Sequence, residues 1–390
     1  MKIETIRNLD LKGKRVLLRV DFNVPLDKFG RIVDDTRIRE ALPTIKYLED
    51  QGARIILVSH FGRPKGKVDE KLRMEPIGRY LSRLINHDVL ISREPIGEKL
   101  RDRIRYMEFG DIMLLENIRF YPKEEKNDPN FAKELAGLAE IYINDAFGTA
   151  HRAHASTDGV AHFLPSYAGF LMEKEIKYLS EILEKPQRPF FCILGGAKIS
   201  TKLGVIENLI KRVDKLILGG ALVHTILAAK GIKIGKSLVE KDLISEAKRL
   251  LKYEDDSKLI LPKDGLVSKD SKGKQAARVS DFSDIKPDEA IFDIGPQTIA
   301  YYKELILQAK LIVWNGPMGL FEVPAFDNGT YKIARAIAST SAKTIVGGGE
   351  TLEVTKKLGL QKKYSFVSTG GGAMLEFLEG KKLPGIAVLQ

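Results

Sequence analysis

The sequence runs to 390 residues, long enough for two domains with separate cores, and its 44% hydrophobic and 29% charged content is ordinary for a globular chain. A single cysteine excludes an internal disulfide, and a formal charge of +11 narrows the partners to anions, either nucleic acid or small charged substrates. No run approaches the ~18 apolar residues that span a bilayer, and Met1 to Asp10 lacks an apolar signal region, so a cytoplasmic setting is expected.

In chain order, short apolar runs at Val16–Val20, Arg54–Ser59, Asp88–Ile91, Ile112–Leu115 and Ile141–Asn144 read as strands. Between them lie helical periodicities such as Leu42, Ile45 and Leu48. The charge block Lys123-Glu124-Glu125-Lys126 mixes signs and reads as solvated surface. A linking helix is expected from Gly169 to Glu184, with Ile176, Leu179 and Leu183 on its apolar face. Lys185-Pro186-Gln187-Arg188-Pro189 stops it. Strands follow at Phe190–Leu194, Leu216–Leu218, Leu259–Leu261, Ala290–Asp293, Leu311–Trp314, Thr344–Val346 and Ser365–Ser368. Cys192 falls inside the first of these and is expected to pack in the core. Strands alternating with helices give an α/β chain of two Rossmann-like domains, each a parallel β-sheet flanked by helices, joined by a linking helix and hinge. The expected boundaries are 1–170, 171–184 and 185–377.

Most of these strands end in glycine or polar residues, and open α/β sheets bind ligands at that edge. The first half offers Asp21-Phe22-Asn23, Ser59-His60-Phe61-Gly62-Arg63-Pro64, Glu116-Asn117-x-Arg119 and Asp145-Ala146-Phe147-Gly148. With Arg37 and Arg152, its arginines form planar forks suited to carboxylate and phosphate oxygens. Arg19 lies mid-strand and is expected to support Asp21. The second half offers Gly195-Gly196-Ala197-Lys198, Gly219-Gly220, Gly295-Pro296, Asn315-Gly316-Pro317, Gly347-Gly348-Gly349 and Gly370-Gly371-Gly372. Glycine lets backbone N–H groups approach phosphates closely. Lys198 and Lys202, four apart, are expected to share a helical face beside the phosphates. The run Gly231 to Ser237 is one residue short of a Walker A loop and does not follow a strand. No full dinucleotide fingerprint occurs, and His151 with His154 is too small a set for zinc.

Taken together, these motifs resemble the phosphoglycerate kinase family. The match runs in order through Arg19-Val-Asp21-Phe-Asn23-Val-Pro25, Asp35-Thr36-Arg37-Ile38 and Ser59-His60-Phe-Gly62-Arg63-Pro64. It continues through Asn144-Asp145-Ala-Phe-Gly148-Thr-Ala-His151-Arg152, Gly195-Gly196-Ala197-Lys198, Asp293-Ile-Gly295-Pro296, Trp314-Asn315-Gly316-Pro317 and Ser368-Thr369-Gly370-Gly371-Gly372. The resemblance implies transfer of a phosphoryl group from 1,3-bisphosphoglycerate to ADP, giving 3-phosphoglycerate and ATP, with Mg²⁺ as cofactor and hinge closure before transfer.

It assigns Asp21, Asn23, Arg37, His60, Arg63, Arg119 and Arg152 to 3-phosphoglycerate. Lys198, Lys202, Gly219, Gly220, Gly295, Asn315, Glu322, Gly348, Gly349, Glu350 and Thr351 go to the nucleotide. Arg37, Lys198, Gly371 and Gly372 are expected around the migrating group. Glu350 stands where the family usually has Asp and is the expected metal carboxylate. The tail, about 378–390, is expected to return to the first domain. A monomer with no nucleic-acid or membrane partner is expected. The rival readings are another kinase of a small carboxylic acid and a basic nucleic-acid binder.

Overall fold

The structure is a computed structural model that describes residues 3–390. The chain divides into two compact units, Met1–Lys177 with Lys382–Gln390, and Tyr178–Lys381. The helix Phe170–Glu184 runs across that division.

In the first unit, strands β1 (Arg15–Arg19), β2 (Arg54–Val58), β3 (Val89–Ile91), β4 (Ile112–Leu114), β5 (Ile141–Asn144) and β6 (Ser166–Ala168) form one parallel sheet, ordered β3-β4-β2-β1-β5-β6. Side chains alternate across a strand, so adjacent residues serve opposite cores. Val16, Leu18, Ile55 and Leu57 join one core. Leu17, Ile56 and Val58 join the other. Both faces are therefore covered, which is why the strands read as continuous apolar runs. The sequence turns from β1 to β2 on one side and later adds β5 on the other, so the switch of direction lies at β1. Ligands bind at such a point, beyond the carboxyl ends of the strands.

The C-terminal segment packs on this first unit. The Asn144 Nδ2 donates to the Gly385 carbonyl at 3.1 Å, and the Gly385 amide donates to the Ala150 carbonyl at 2.9 Å. Leu383, Ile386 and Leu389 are buried there.

The second unit holds β7 (Phe190–Leu194), β8 (Lys215–Leu218), β9 (Leu259–Ile260), β10 (Gly265–Ser268), β11 (Arg278–Ser280), β12 (Ala290–Ile294), β13 (Leu311–Asn315), β14 (Lys343–Gly347) and β15 (Phe366–Ser368). Its six-stranded parallel sheet is ordered β15-β14-β13-β7-β8-β9, placing the switch at β7 between β13 and β8. The expected strand near Ala290 exists but lies elsewhere. As β12 it pairs antiparallel with β10, beside β11, in a separate three-stranded sheet. Short turns explain the antiparallel pairing. Asp270 accepts from the Lys272 and Lys274 amides at 3.0 and 2.7 Å, closing a turn between β10 and β11 that leaves no room for a crossover helix. Cys192 is wholly buried in β7, where burial pushes its thiol up to about 12.

Candidate active site

The first edge gathers at the ends of β1, β2 and β4. Arg37, in the first turn of the helix Thr36–Asp50, donates from Nη1 to Asp21 Oδ2 at 2.8 Å and to the Asn23 carbonyl at 3.3 Å. Asn23 Oδ1 accepts from the Gly62 amide at 2.9 Å, while Arg119 Nη1 donates to the Gly62 carbonyl at 2.7 Å. Both ends of the Gly62 residue are thus pinned by Asn23 and Arg119. Gly62 itself has φ +62°, and a Cβ there would sit 2.6 Å from a Leu72 methyl, so a side chain would be strained and would have to displace Leu72.

Asn117 holds the neighbouring turn with its whole amide. It accepts from the Phe61 and Arg119 amides, both at 3.1 Å, and donates to the Phe61 and Leu72 carbonyls at 2.7 and 2.9 Å. This explains why an asparagine precedes Arg119 by two residues.

His60 is buried at the centre. Burial, then the charges of Arg19, Arg119, Arg37 and Arg152, pull its pKa well below the usual value. The ring is therefore neutral, and the same interactions place four guanidinium groups around it. Arg119 is itself 4% exposed, with its pKa lowered by burial and by Arg152, and pairs with Glu125 at 3.3 Å. Arg152 donates from Nε to His151 Nε2 at 3.2 Å. Arg63 is exposed, and no hydrogen bond or ion pair among the described residues ties it to the others.

Two expectations need correction here. Arg19 does not support Asp21. It is 1% exposed and bonds to Ser156 Oγ at 3.0 Å, to the Val20 carbonyl and to His60 Nδ1 at 3.3 Å. In the block at Lys123, Lys123, Glu125 and Lys126 are exposed as expected, but Glu124 is not. Glu124 is wholly buried, because its carboxylate accepts from the Ser156 amide and hydroxyl at 2.9 and 2.6 Å.

The second edge gathers beyond β7, β8, β13 and β14. Lys198 and Lys202 do not share a helical face, since the helix Leu203–Leu209 begins only after Lys202. Side-chain bonds compete with the helix in the preceding turn: the Ser200 amide and hydroxyl both bind Glu240, at 3.0 and 2.6 Å. Lys198 is exposed, whereas Lys202 is buried and donates from Nζ to Asn315 Oδ1. Burial pulls Lys202 down to about 8, with Glu350 opposing. A lysine has no acceptor, so Asn315 must turn its oxygen toward it. The Asn315 Nδ2 is left buried without a partner.

Glu350 is raised by desolvation and by the nearby charge of Glu322, with Lys202 opposing. Two carboxylates that repel one another beside a lysine are suited to a divalent cation bound mainly through phosphates. Thr351 faces inward instead, its hydroxyl accepting from the Gly316 amide at 2.7 Å.

The glycines divide into two groups. A Cβ on Gly195 would meet the Pro317 carbonyl at 1.9 Å, one on Gly219 the Met318 sulfur at 2.5 Å, and one on Gly295 the Asp264 carboxylate at 2.3 Å. Gly220 would meet the Gly196 amide at 2.6 Å, and Gly348 the Asn315 amide nitrogen at 2.9 Å. At these positions the protein packs against itself. Gly349 and Gly371, by contrast, face open space at the starts of the helices Gly349–Lys357 and Gly372–Leu378.

A cleft of about 550 Å³ opens beside this edge, lined by Gly220, Glu322 and Glu350. Its walls also include Leu227, Leu238, Phe282 and Ile291, which the motifs did not reveal. These come from one helix, two loops and β12, and share no periodicity or spacing that could have marked them. An apolar slot next to a lysine and two carboxylates suits a nucleotide, base inward and phosphates out.

Two sheets with ligand edges of these kinds, one rich in guanidinium groups and one in glycine turns with a buried lysine, have the chemistry a phosphotransferase uses. The model of the phosphoglycerate kinase family matches residues 6–381. The phosphoglycerate kinase of Dictyoglomus turgidum is 55% identical over 388 residues, covering 99% of this chain and 98% of that one. That of Pelotomaculum thermopropionicum is 51% identical over 391 residues, covering 100% and 99%. The solved phosphoglycerate kinase from Coxiella burnetii superposes with a TM-score of 0.89 at 41% identity, covering 100% of this chain and 99% of its own. The chain belongs to the phosphoglycerate kinase family, whose reaction is the glycolytic transfer of a phosphoryl group between 1,3-bisphosphoglycerate and ADP.

Proposed function

We propose that the first unit holds 3-phosphoglycerate through Asp21, Asn23, Arg37, His60, Arg63, Arg119 and Arg152, and that the second holds ADP or ATP. The observation that carries this is the group of guanidinium charges around a neutral, buried His60 at the switch point of the first sheet. On the nucleotide side the support is Lys202, the unpartnered Asn315 amide and the open backbone at Gly349. Gly219, Gly220, Gly295, Gly348 and Thr351 shape that edge, with Glu322 at its rim.

Toward 1,3-bisphosphoglycerate, a carboxylate oxygen of 3-phosphoglycerate attacks the γ-phosphorus of ATP. The new O–P bond forms as the bond to the β,γ-bridging oxygen breaks, and ADP leaves. A carboxylate carries no proton to remove, so no general base is needed, and catalysis reduces to alignment and charge stabilisation. Arg37 and Lys198, with the backbone N–H groups at Gly371 and Gly372, surround the migrating group, while Lys202 holds a nucleotide phosphate. Mg²⁺ neutralises phosphate charge when bound, and Glu350, with Glu322 near it, would hold it.

The substrates occupy separate units, so transfer requires hinge closure that brings the edges together and excludes water. The enzyme acts as a cytoplasmic monomer, with no nucleic-acid or membrane partner. Among the described residues no helix is long and apolar enough to cross a membrane. The test is a coupled assay with ATP, Mg²⁺ and 3-phosphoglycerate. Turnover that depends on 3-phosphoglycerate is expected. Turnover with a different small carboxylic acid but not with this one would overturn the assignment.

A further inference from the structure

We propose that Glu124 and Ser156 are positioning residues: through the buried guanidinium of Arg19 they fix His60 as the tautomer that carries its proton on Nε2, a donor for the anionic substrate. The chain of contacts is continuous and closed to water. Glu124, Ser156 and Arg19 are 0, 0 and 1% exposed, and His60 is 5% exposed. Glu124 Oε1 and Oε2 accept from the Ser156 hydroxyl and amide. That hydroxyl has one proton, which it gives to Glu124, so its lone pairs are left for the Arg19 Nε–H at 3.0 Å. Arg19 Nη1 is occupied by the Val20 carbonyl, which leaves Nη2 facing His60 Nδ1 at 3.3 Å.

A guanidinium can only donate. The Nδ1 of His60 must therefore accept, and in a neutral ring the proton then resides on Nε2. Among the described residues only the Asp21 carboxylate comes within 4 Å of Nδ1, and at 3.8 Å it is beyond hydrogen-bonding reach and is already held by Arg37. Glu124 has a second task. A wholly buried guanidinium is costly without an opposite charge, and the carboxylate beyond Ser156 supplies it: burial raises the Glu124 pKa, while Arg19 and the two Ser156 hydrogen bonds oppose that rise and favour the charged form. His154 approaches Glu124 at 3.9 Å but is pulled down to about 4 by burial and by Arg119, so it brings no competing charge near neutrality.

The proposal rests on the assignment of 3-phosphoglycerate to this edge, but its first readout does not. In the free, full-length enzyme, ring ¹⁵N spectra of His60 are expected to show a protonated Nε2 and a bare Nδ1. Ser156→Ala removes the hydroxyl relay and is expected to give averaged ring signals, as both tautomers become populated. It also raises KM for 3-phosphoglycerate about tenfold or more, the scale of one misdirected hydrogen bond to a charged group, while KM for ATP holds. Ser156→Thr keeps the hydroxyl and restores both. Glu124→Gln is the parallel test of the charge, and the Ser156 pair decides the matter if that variant does not fold. A protonated Nδ1 in the unaltered enzyme, or unchanged ring signals in Ser156→Ala, overturns the proposal. If the ring signals behave as expected but no KM for 3-phosphoglycerate can be measured at all, the substrate assignment has failed instead.

Discussion

Arg37 and Asp21 meet at 2.8 Å, the guanidinium partly open to solvent and the carboxylate beneath it almost closed off. The pair fixes one face of an always-charged fork by a buried anion and leaves the rest turned outward. That is the arrangement expected of a group waiting for a second anion.

Removing that fork should therefore act on the transition state more than on folding. Arg37→Ala is expected to lower kcat for 3-phosphoglycerate by about 10²–10³-fold, the scale of losing one preorganised charge donor. Its melting temperature should stay close to that of the parent. Arg37→Lys, which keeps charge but not the planar fork, should recover only part of the rate. Steady-state kinetics on the two variants checks this, and an unchanged kcat in Arg37→Ala would remove the residue from the reaction.

Lys202 predicts a pH dependence with a definite sign. Burial holds its ammonium near 8, so in the nucleotide-free enzyme the charge is present below that value and lost above it. ATP affinity should be flat up to about pH 8 and then fall, at most about tenfold per unit for one proton. Glu350 raises the Lys202 pKa, so Glu350→Gln should move the break to lower pH. Calorimetric titration of ATP from pH 7 to 9.5 reads both effects. Affinity that stays level across the range would mean that Lys202 does not meet a phosphate.

The glycines give a contrast within one edge. Gly195→Ala forces a methyl within 1.9 Å of the Pro317 carbonyl and should cost about 3 kcal/mol or more. Gly349→Ala meets nothing within 4 Å and has no left-handed φ to lose. It should melt like the parent yet bind ATP more weakly. Thermal melts and ATP titrations of both variants check the distinction, which disappears if Gly349→Ala binds ATP normally.

Much of this was legible from the residues. The parallel strands were visible because both faces of each sheet are covered, so β7 or β13 shows as an unbroken apolar run. β6, β10 and β11 were not, being three or four residues long with serine or arginine among them. Arg63 and Arg119 could be singled out as candidates because each follows a strand closely, β2 ending at Val58 and β4 at Leu114. Glu124 could not, since a buried carboxylate and an exposed one look alike until Ser156, 32 residues on, supplies its donors. The Lys198–Lys202 spacing misled for a related reason: i,i+4 implies one face only if the helix has begun, and here it starts at Leu203. The apolar walls of the cleft beside the second edge left no trace, because Leu227, Leu238, Phe282 and Ile291 become neighbours only through the fold.

Hinge closure predicts a change that neither substrate alone should complete. Small-angle scattering is expected to show a smaller radius of gyration with 3-phosphoglycerate and a non-hydrolysable ATP analogue together than with either one. Equal dimensions in all states would contradict closure.

The most direct measurement follows the phosphorus itself. ATP made chiral at its γ-phosphorus with oxygen isotopes can be turned over with 3-phosphoglycerate and the configuration of the transferred group determined. One direct displacement between the two bound substrates predicts inversion. Retention would require a covalent phosphoenzyme between two displacements, and would contradict the account.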